Sequence, residues 1–181
     1  MKREHSLRRK LRSLETLSEA VGAMKSLAAH HFRSARAALP AAHAYRQGID
    51  EALAVMKLHQ QRSSVEATAI LLIAADLGLC GGYNSQLAAA ALEHQCRLSA
   101  GRVYCVGRRP LTQFKRSGVK VDREYSTPTS AAGLTELLLH LGEDLLVDYL
   151  DGKFGTLHVI SAQFVGVGEF TPICTRLLPL D

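Results

Sequence analysis

The segment from about residue 4 to 58 constrains the fold more than any other, because it is rich in Ala, Leu, Arg and Glu and carries one long apolar stripe. Steps of three and four residues separate the members of the stripe: Leu7, Leu11, Leu14, Leu17, Val21, Met24, Ala28 and Ala35, with His31 in the remaining position. This spacing is that of a coiled-coil seam. A helix of about 50 residues is roughly 75 Å long, so it extends well beyond a small domain and needs a partner.

Pro40 lies near the middle of this segment and leaves two interpretations open. An interior proline removes a backbone hydrogen bond and clashes with the preceding turn, so the segment can be two amphipathic helices that pack on the domain. The small residues from Ala35 to Ala44 would also tolerate a kink within one continuous helix.

Charge is distributed unevenly along the chain. Residues 1–62 contain 12 Lys and Arg against 5 Asp and Glu, whereas the remainder contains 10 against 12. A cationic first third favours an acidic partner. Its basic cluster has no interleaved aromatic residues and predicts a solvated helix face without nucleic acid. The cluster comprises Lys2, Arg3, Arg8, Arg9, Lys10 and Arg12.

Cysteine spacing and hydropathy indicate the cellular compartment in which the protein resides. The four cysteines form no CxxC pair and lie in apolar sequence, which predicts reduced thiols in a cytosolic compartment and no zinc site. They are Cys80, Cys96, Cys105 and Cys174. The N-terminus is charged where a secretory signal requires an apolar core, and the run Ala69–Ala75 is too short to cross a bilayer. We therefore expect a soluble protein.

The remainder of the chain alternates short apolar runs with helical patterns, which predicts an α/β fold with an open sheet of about five strands and flanking helices. We expect a helical domain at 1–60 and a globular domain at 66–181. Predicted strands are 68–75, 103–106, 119–123, 156–164 and 170–178, and predicted helices are 84–99, 108–117 and 130–150.

The segment between the first predicted strand and the next helix, residues 76–84, is the most informative; we name it the glycine loop. Its sequence DLGLCGGYN contains three glycines that permit close backbone approach, and Asn84 or Ser85 can cap the following helix. Loops at the carboxyl ends of parallel strands are common ligand sites, so a phosphate cradle is conceivable. However, the spacing matches neither GxGxxG nor GxxxxGK[ST], and no lysine is placed to reach a phosphate.

An enzymatic interpretation of the glycine loop remains as the alternative. A nucleotide-binding or cysteine-dependent enzyme would use Gly78, Cys80, Gly81 and Gly82, and it predicts a pocket with convergent polar groups. A nucleophilic thiol needs a base within reach, and the eight histidines show no spacing that nominates one. A contact loop is the favoured interpretation of this segment.

The sequence DLGLCGGYN resembles the DRGLCGGFN motif of the gamma subunit of F-type ATP synthases, placed after the first strand of that family's α/β domain. The stretch LRRKLRSLETLSEAVGAMKSLAAHHFRSAR is similar to the family's first helix, including the Ala23-Met24 pair. Weaker similarities are VYCVGRRPLTQFKRSG and TPICTRLLPLD. The resemblance therefore covers nearly the whole chain.

The resemblance implies a non-catalytic rotor of the Rossmann-like α/β class. In the family, the central stalk turns inside the α3β3 ring, contacts epsilon and the membrane c-ring, and couples proton or sodium flow to ATP chemistry on β. It implies a peripheral location at the cytoplasmic face of the bacterial inner membrane. This interpretation predicts no small-ligand pocket at the glycine loop.

By position, the resemblance implies two groups of partner-contact residues, none of them catalytic and none binding a metal or cofactor. The helix group, within Lys2 to Lys25, comprises Arg8, Arg9, Arg12, Leu14, Val21, Met24 and Lys25. The loop group, near the acidic moving region of β, comprises Asp76, Gly78, Leu79, Cys80, Gly81 and Gly82.

Three departures from the family pattern affect these expectations. Leu77 replaces the usual Arg before GLCGG, and Gly22 and Lys25 replace the usual Lys and Glu around the Ala-Met pair, so the contact chemistry differs. The family continues into a long C-terminal helix after a strand like the one ending near Asp181. We therefore expect a fragment, with self-association or a repurposed gamma-like protein as the alternatives.

Overall fold

A computed structural model describes residues 2–55, 65–78, 80–128 and 130–179. The chain divides into two compact units, 1–59 and 60–181. In chain order the elements are α1 (Lys2–Val55), β1 (Thr68–Ile73), α2 (Tyr83–Arg97), β2 (Arg102–Val106), α3 (Leu111–Arg116), β3 (Arg123–Tyr125), α4 (Ala131–Leu150), β4 (Thr156–Gly166) and β5 (Glu169–Leu178). The predicted α/β class is confirmed. The predicted boundary between residues 60 and 66 stays a prediction, because residues 56–64 lie outside the described residues.

The first unit is one uninterrupted helix of 54 residues, α1, which at 1.5 Å per residue is about 80 Å long. The helix runs through Pro40, so the interpretation as two separate helices is wrong. The predicted seam is exposed to solvent along the helix, with Leu7 64% and Leu14 65% exposed.

The second unit contains a five-stranded sheet in the order β3-β2-β1-β4-β5. β1 is central and pairs in parallel with β2 and β4, β3 pairs in parallel with β2, and β5 pairs antiparallel with β4. Because a central parallel strand is covered on both faces, its sequence is continuously apolar, as the run from Thr68 predicted.

Successive residues of β1 serve two cores on opposite faces of the sheet, because side chains alternate along a strand. Ile70 and Leu72 pack with Leu87 of α2 and with Phe114 of α3. On the other face, Leu71 and other β1 residues pack with Leu141 and Leu145 of α4. The carboxyl ends of β1, β2 and β3 therefore meet at one edge, which positions the glycine loop.

The third strand differs from its prediction at residues 119–123. Pairing with β2 begins only at Arg123, opposite Tyr104. Residues 119–122 follow the turn after α3 in irregular backbone, where the Val119 N–H donates to the Phe114 carbonyl and the Asp122 carboxylate accepts from the Val103 N–H at 2.8 Å. The apolar spacing of this segment reflects packing against the core rather than strand pairing.

Gly107 allows the loop after β2 to approach β1 at backbone distance. Its φ is +99°, and a Cβ placed on it would lie 2.8 Å from the carbonyl carbon of Ala74. The Ala74 N–H donates to the Val106 carbonyl at 2.9 Å beside it. Only glycine combines this φ with such a short approach.

A buried polar cluster fixes α4 on the sheet. The Asp148 carboxylate, 2% exposed as a residue, accepts hydrogen bonds from the Tyr104 hydroxyl at 2.6 Å and from Lys153 at 2.6 Å. Arg123 contacts both Asp148 and Asp144. Burial opposes ionisation, but Lys153, Tyr104 and Arg123 together hold the pKa of Asp148 below its ordinary value.

Within the described part of the chain, no helix combines the length and the apolar character that crossing a bilayer requires.

Candidate functional site

The glycine loop connects the end of β1 to the start of α2, at the edge of the sheet where three parallel strands end. The structure brings the loop residues Asp76, Gly78, Cys80, Gly81 and Gly82 together there. Leu79, the remaining predicted contact residue of the loop, lies outside the described residues. The site is therefore described from the residues on either side of it.

Asp76 ties three neighbouring loops together. One carboxylate oxygen accepts the Arg108 N–H at 2.7 Å, and the other accepts the Thr127 N–H at 2.9 Å. The Arg108 guanidinium lies 3.5 Å from the same carboxylate, whose side chain is only 8% exposed. Burial raises the pKa of Asp76, but the two backbone donors and the Arg108 charge outweigh it and hold this pKa below its ordinary value.

Asn84 is the internal brace of the glycine loop. Its side-chain oxygen accepts the Ala75 N–H at 2.9 Å, and its amide nitrogen donates to the Leu77 carbonyl at 3.2 Å and contacts the Cys80 sulfur at 3.1 Å. The prediction that Asn84 or Ser85 caps α2 is wrong, because Gly82 occupies the N-cap position and no side-chain cap is made. The Asn84 side chain instead makes its hydrogen bonds to the segment that follows β1.

Gly78 accommodates an arginine that arrives from the loop after β2. A Cβ placed on Gly78 would lie 2.8 Å from Nη2 of Arg109, so the guanidinium group rests directly on the glycine. Gly81 has a φ of +57°, the left-handed conformation that its sequence position predicted. Glycine is therefore needed at the two positions for different reasons. Gly78 makes room for a side chain, and Gly81 allows the backbone to turn.

A cleft of about 360 Å³ lies between the glycine loop and α3. Its lining combines backbone, hydroxyl, amide and guanidinium groups: Gly78, Cys80, Gly81, Asn84, Ser85, Arg109, Thr112, Gln113 and Arg116. The rotor interpretation predicted no small-ligand pocket at the loop, and an open cleft by itself does not test whether a ligand binds there, so that expectation stays a prediction. The cleft brings polar groups from two helices to the place where the sequence suggested a contact loop alone.

The Cys80 thiol has no catalytic base beside it among the residues that line the cleft. Its sulfur contacts the amide of Asn84 and lies 3.6 Å from the Leu77 carbonyl. A nucleophilic mechanism needs a group that accepts the thiol proton. The geometry therefore does not favour the cysteine-enzyme alternative.

The second predicted group of contact residues lies on α1. Its members are exposed in the helix: Arg8, Arg9, Arg12, Leu14, Val21, Met24 and Lys25. These belong to the first unit of the chain and the loop residues to the second. The helix group is spread around α1 rather than confined to one face, and its role in partner contact stays a prediction.

Sequence reasoning missed four residues on the second side of the cleft: Arg109, in the loop before α3, and Thr112, Gln113 and Arg116 of α3. They lie about 30 residues after the glycine loop, so no local motif connects them. A signal was present in their spacing, since positions i, i+3, i+4 and i+7 share one helix face. Within the described residues, no group of three or more His, Cys, Asp or Glu can hold a metal ion.

Comparisons of the sequence with a family model and with known proteins identify the same family. A family model described as ATP synthase matches residues 3–181. The chain is 26% identical over 184 residues to the ATP synthase gamma chain of Desulforamulus reducens, covering 97% of this chain and 64% of that relative. It is 26% identical over 186 residues to the gamma chain of Bordetella avium, covering 96% and 62%. The chain thus spans less than two thirds of these relatives' length.

A solved structure supports the fold. The central stalk and c-ring structure of Tetrahymena thermophila mitochondrial ATP synthase aligns with a TM-score of 0.54 and 14% identity, covering 74% of this chain and 58% of that chain. At this identity the likeness concerns the arrangement of helices and strands alone.

Proposed function

This chain belongs to the ATP synthase gamma-chain family, and we propose that it acts as a central-stalk rotor that couples ion-driven rotation to conformational change in a catalytic α3β3 ring. The observation that carries the proposal is the family match over residues 3–181, which includes both the long helix and the α/β unit. The fully exposed seam of α1 supports it, because a helix with this surface needs a partner.

The proposed partners are the α and β subunits, the epsilon subunit and the c-ring, with no nucleic acid. The cationic start of α1 supports contact with the interior of the ring through Arg8, Arg9 and Arg12, and the seam residues Leu14 and Met24 support packing against a helix. The glycine loop is the proposed contact for the acidic region of β. In this loop Asp76 acts by holding the neighbouring loops, because its carboxylate already has intramolecular partners.

The proposed mechanism is mechanical. A stiff helix with chemically different faces presents a different face to each β subunit as it turns, and each contact shifts the balance between conformations of that subunit. ATP synthesis and hydrolysis take place on β in this proposal, and the chain itself carries no catalytic group. The chain would sit peripherally at the cytoplasmic face of the bacterial inner membrane, held there by the complex.

The proposal is tested by co-purification of the chain with α and β subunits, scored by ATP hydrolysis. The test variants are Leu14→Asp and Val21→Asp, which place a charge in the seam. Ala44→Asp is the matched control, because at 100° per residue it lies on the opposite face from the seam and outside the proposed contact group within Lys2 to Lys25. Circular dichroism verifies that each variant retains its helix.

We expect the two seam variants to lose co-purification and stimulated hydrolysis while the control retains both. If the seam variants assemble as well as the control, the seam is not the contact surface. If neither the unaltered chain nor the chain extended by a family-type C-terminal helix binds α and β, the rotor proposal is wrong.

A further inference from the structure

Two arginines line the cleft without a counter-ion. In the part of the chain that the structure describes, no hydrogen bond or ion pair reaches the side chain of Arg109 or Arg116. The neighbouring cations are different: Arg108 lies 3.5 Å from Asp76, and Arg102 lies 3.2 Å from Asp122. Both side chains are exposed to solvent, and they leave positive charge at the cleft that no group among the described residues neutralises.

The sequence around the cleft reinforces this charge. Residues 94–121 contain seven Lys and Arg and no Asp or Glu. The remainder of the chain after residue 62 has an excess of acidic residues, so this run departs from its surroundings. A concave site lined by one sign of charge concentrates field and attracts ions of the opposite sign.

Both walls of the cleft add polar groups to the two guanidinium groups. On one wall, α2 begins without a side-chain cap and without an acidic residue in its first turn, although the Asn84 amide and the Ser85 hydroxyl already donate to the Leu77 and Gly82 carbonyls. On the other wall, Thr112 and Gln113 lie on the same face of α3 as Arg116, and Arg109 precedes that helix. Guanidinium, hydroxyl and amide groups together are the usual donors to oxyanions.

We propose that this cleft binds the phosphate group of a small molecule between Arg109, Arg116 and the first turn of α2. A volume of about 360 Å³ is near the lower end of small-molecule sites, which are roughly 300–1,000 Å³. The cleft is open to solvent, and its polar groups come from two walls. The site binds without catalysing. It shares Gly78, Cys80 and Gly81 with the loop proposed to contact β, so occupancy by a phosphate would compete with that contact.

The test is isothermal titration calorimetry of the 181-residue chain with inorganic phosphate, against potassium chloride at matched ionic strength. Glucose 6-phosphate serves as a second titrant, to distinguish free phosphate from a phosphate ester. We expect saturable binding in which Arg109→Gln and Arg116→Gln each raise Kd about tenfold, through loss of a charge-assisted hydrogen bond. Lys120→Gln is the matched control: it removes one exposed charge from the same run outside the cleft, and its Kd stays within about twofold.

Gly78→Ala tests the geometry without removing a charge. The new methyl group would lie 2.8 Å from Nη2 of Arg109 and displace the flexible guanidinium group, so binding weakens severalfold. Folding of every variant is verified by far-ultraviolet circular dichroism.

The outcomes separate clearly. Saturable binding of either titrant that depends on both arginines and on Gly78 supports the proposal, and the tighter titrant identifies the source of the phosphate. The proposal is overturned if neither phosphate titrant shows saturable binding beyond that seen with potassium chloride. It is also overturned if Lys120→Gln weakens phosphate binding as much as the two arginine variants do, because the binding would then reflect the general positive charge of the surface. Tighter, arginine-dependent binding of a glutamate-rich peptide than of either titrant also overturns it. Failure leaves the co-purification result unaffected, so the two proposals are tested separately.

Discussion

The hydroxyl of Tyr104 donates a hydrogen bond of 2.6 Å to the carboxylate of Asp148, and both residues are almost completely buried. The bond joins the second strand of the sheet to α4 across the core. Because Arg123 and Lys153 approach the same carboxylate, α4 is held by a charged cluster at a place where an ordinary helix uses apolar packing alone.

Asp148→Ala is expected to lower the free energy of unfolding by about 3 kcal/mol, because it leaves the buried Tyr104 hydroxyl without its acceptor and removes one of two carboxylate partners from both Arg123 and Lys153. Asp151→Ala is the control; it removes the exposed partner of the same Lys153 and should cause a much smaller loss. Urea unfolding followed by tyrosine fluorescence measures both, since the chain has five Tyr and no Trp. Equal losses in the two variants would contradict this account.

The pH dependence of stability should follow from the same carboxylate. The pKa of Asp148 is below its ordinary value of 3.8 in the folded chain, so the stabilisation is present above that value and is lost as pH falls through the folded pKa. Asp148→Asn lacks this titration. We expect the difference in unfolding free energy between the natural chain and Asp148→Asn to narrow from pH 6 to pH 3, and a constant difference would exclude Asp148 as the cause.

Gly107→Ala should destabilise the second unit by about 3 kcal/mol, because it combines a φ of +99° with a contact of 2.8 Å to the Ala74 backbone. Gly101→Ala is the matched control, since a Cβ there meets nothing within 4 Å. Thermal unfolding distinguishes them. Similar melting temperatures for both variants would show that the loop shifts without resistance.

Pro40→Ala is expected to raise the helicity of α1, since an interior proline disfavours a helix by about 3 kcal/mol relative to alanine. Gly48→Ala provides a graded comparison, with open space around the site and an expected gain of about 1 kcal/mol. Circular dichroism at 222 nm during a thermal ramp gives the order of the two effects. A larger gain from Gly48→Ala would be inconsistent with a strained proline.

The cysteines should differ in reactivity according to their environment. Burial raises the pKa of the Cys105 thiol to about 12, with contributions from Glu124 and Asp76, whereas Cys80 and Cys96 are exposed. Brief treatment with iodoacetamide, followed by peptide mass spectrometry, should therefore label Cys80 and Cys96 and leave Cys105 unmodified until urea is added. Labelling of Cys105 in the native chain would contradict the buried position.

Local patterns predicted most elements of this fold, because periodicity reports how many faces of an element are buried. The continuous apolar run of β1 and the long seam of α1 were recognisable on that basis. Residues 119–123 misled the prediction because Val119 and Val121 pack against the core from a loop. In a short segment, a residue that packs against the core from a loop and a residue in a buried strand give the same apolar sequence pattern.

The sequence predicted the glycine loop as part of the candidate site, but it did not predict the residues in and before α3 that form the second wall of the cleft. Glycines at 78, 81 and 82 indicated close backbone approach, which Gly78 realises against Arg109. The arrival of Arg109 depends on which strands are neighbours in the sheet, and on the position of α3 beside α2. These are properties of the tertiary fold that spacing within one segment does not encode.

The long exposed helix also has a consequence for synthesis. α1 leaves the ribosome before the second unit exists, since chains emerge from the N-terminus. The leucines of the seam are exposed rather than buried in a core. Nascent chains on neighbouring ribosomes therefore expose apolar surfaces that can associate with one another. The supply of a binding partner during translation, rather than the folding of the sheet, should then limit how much of this protein a cell accumulates.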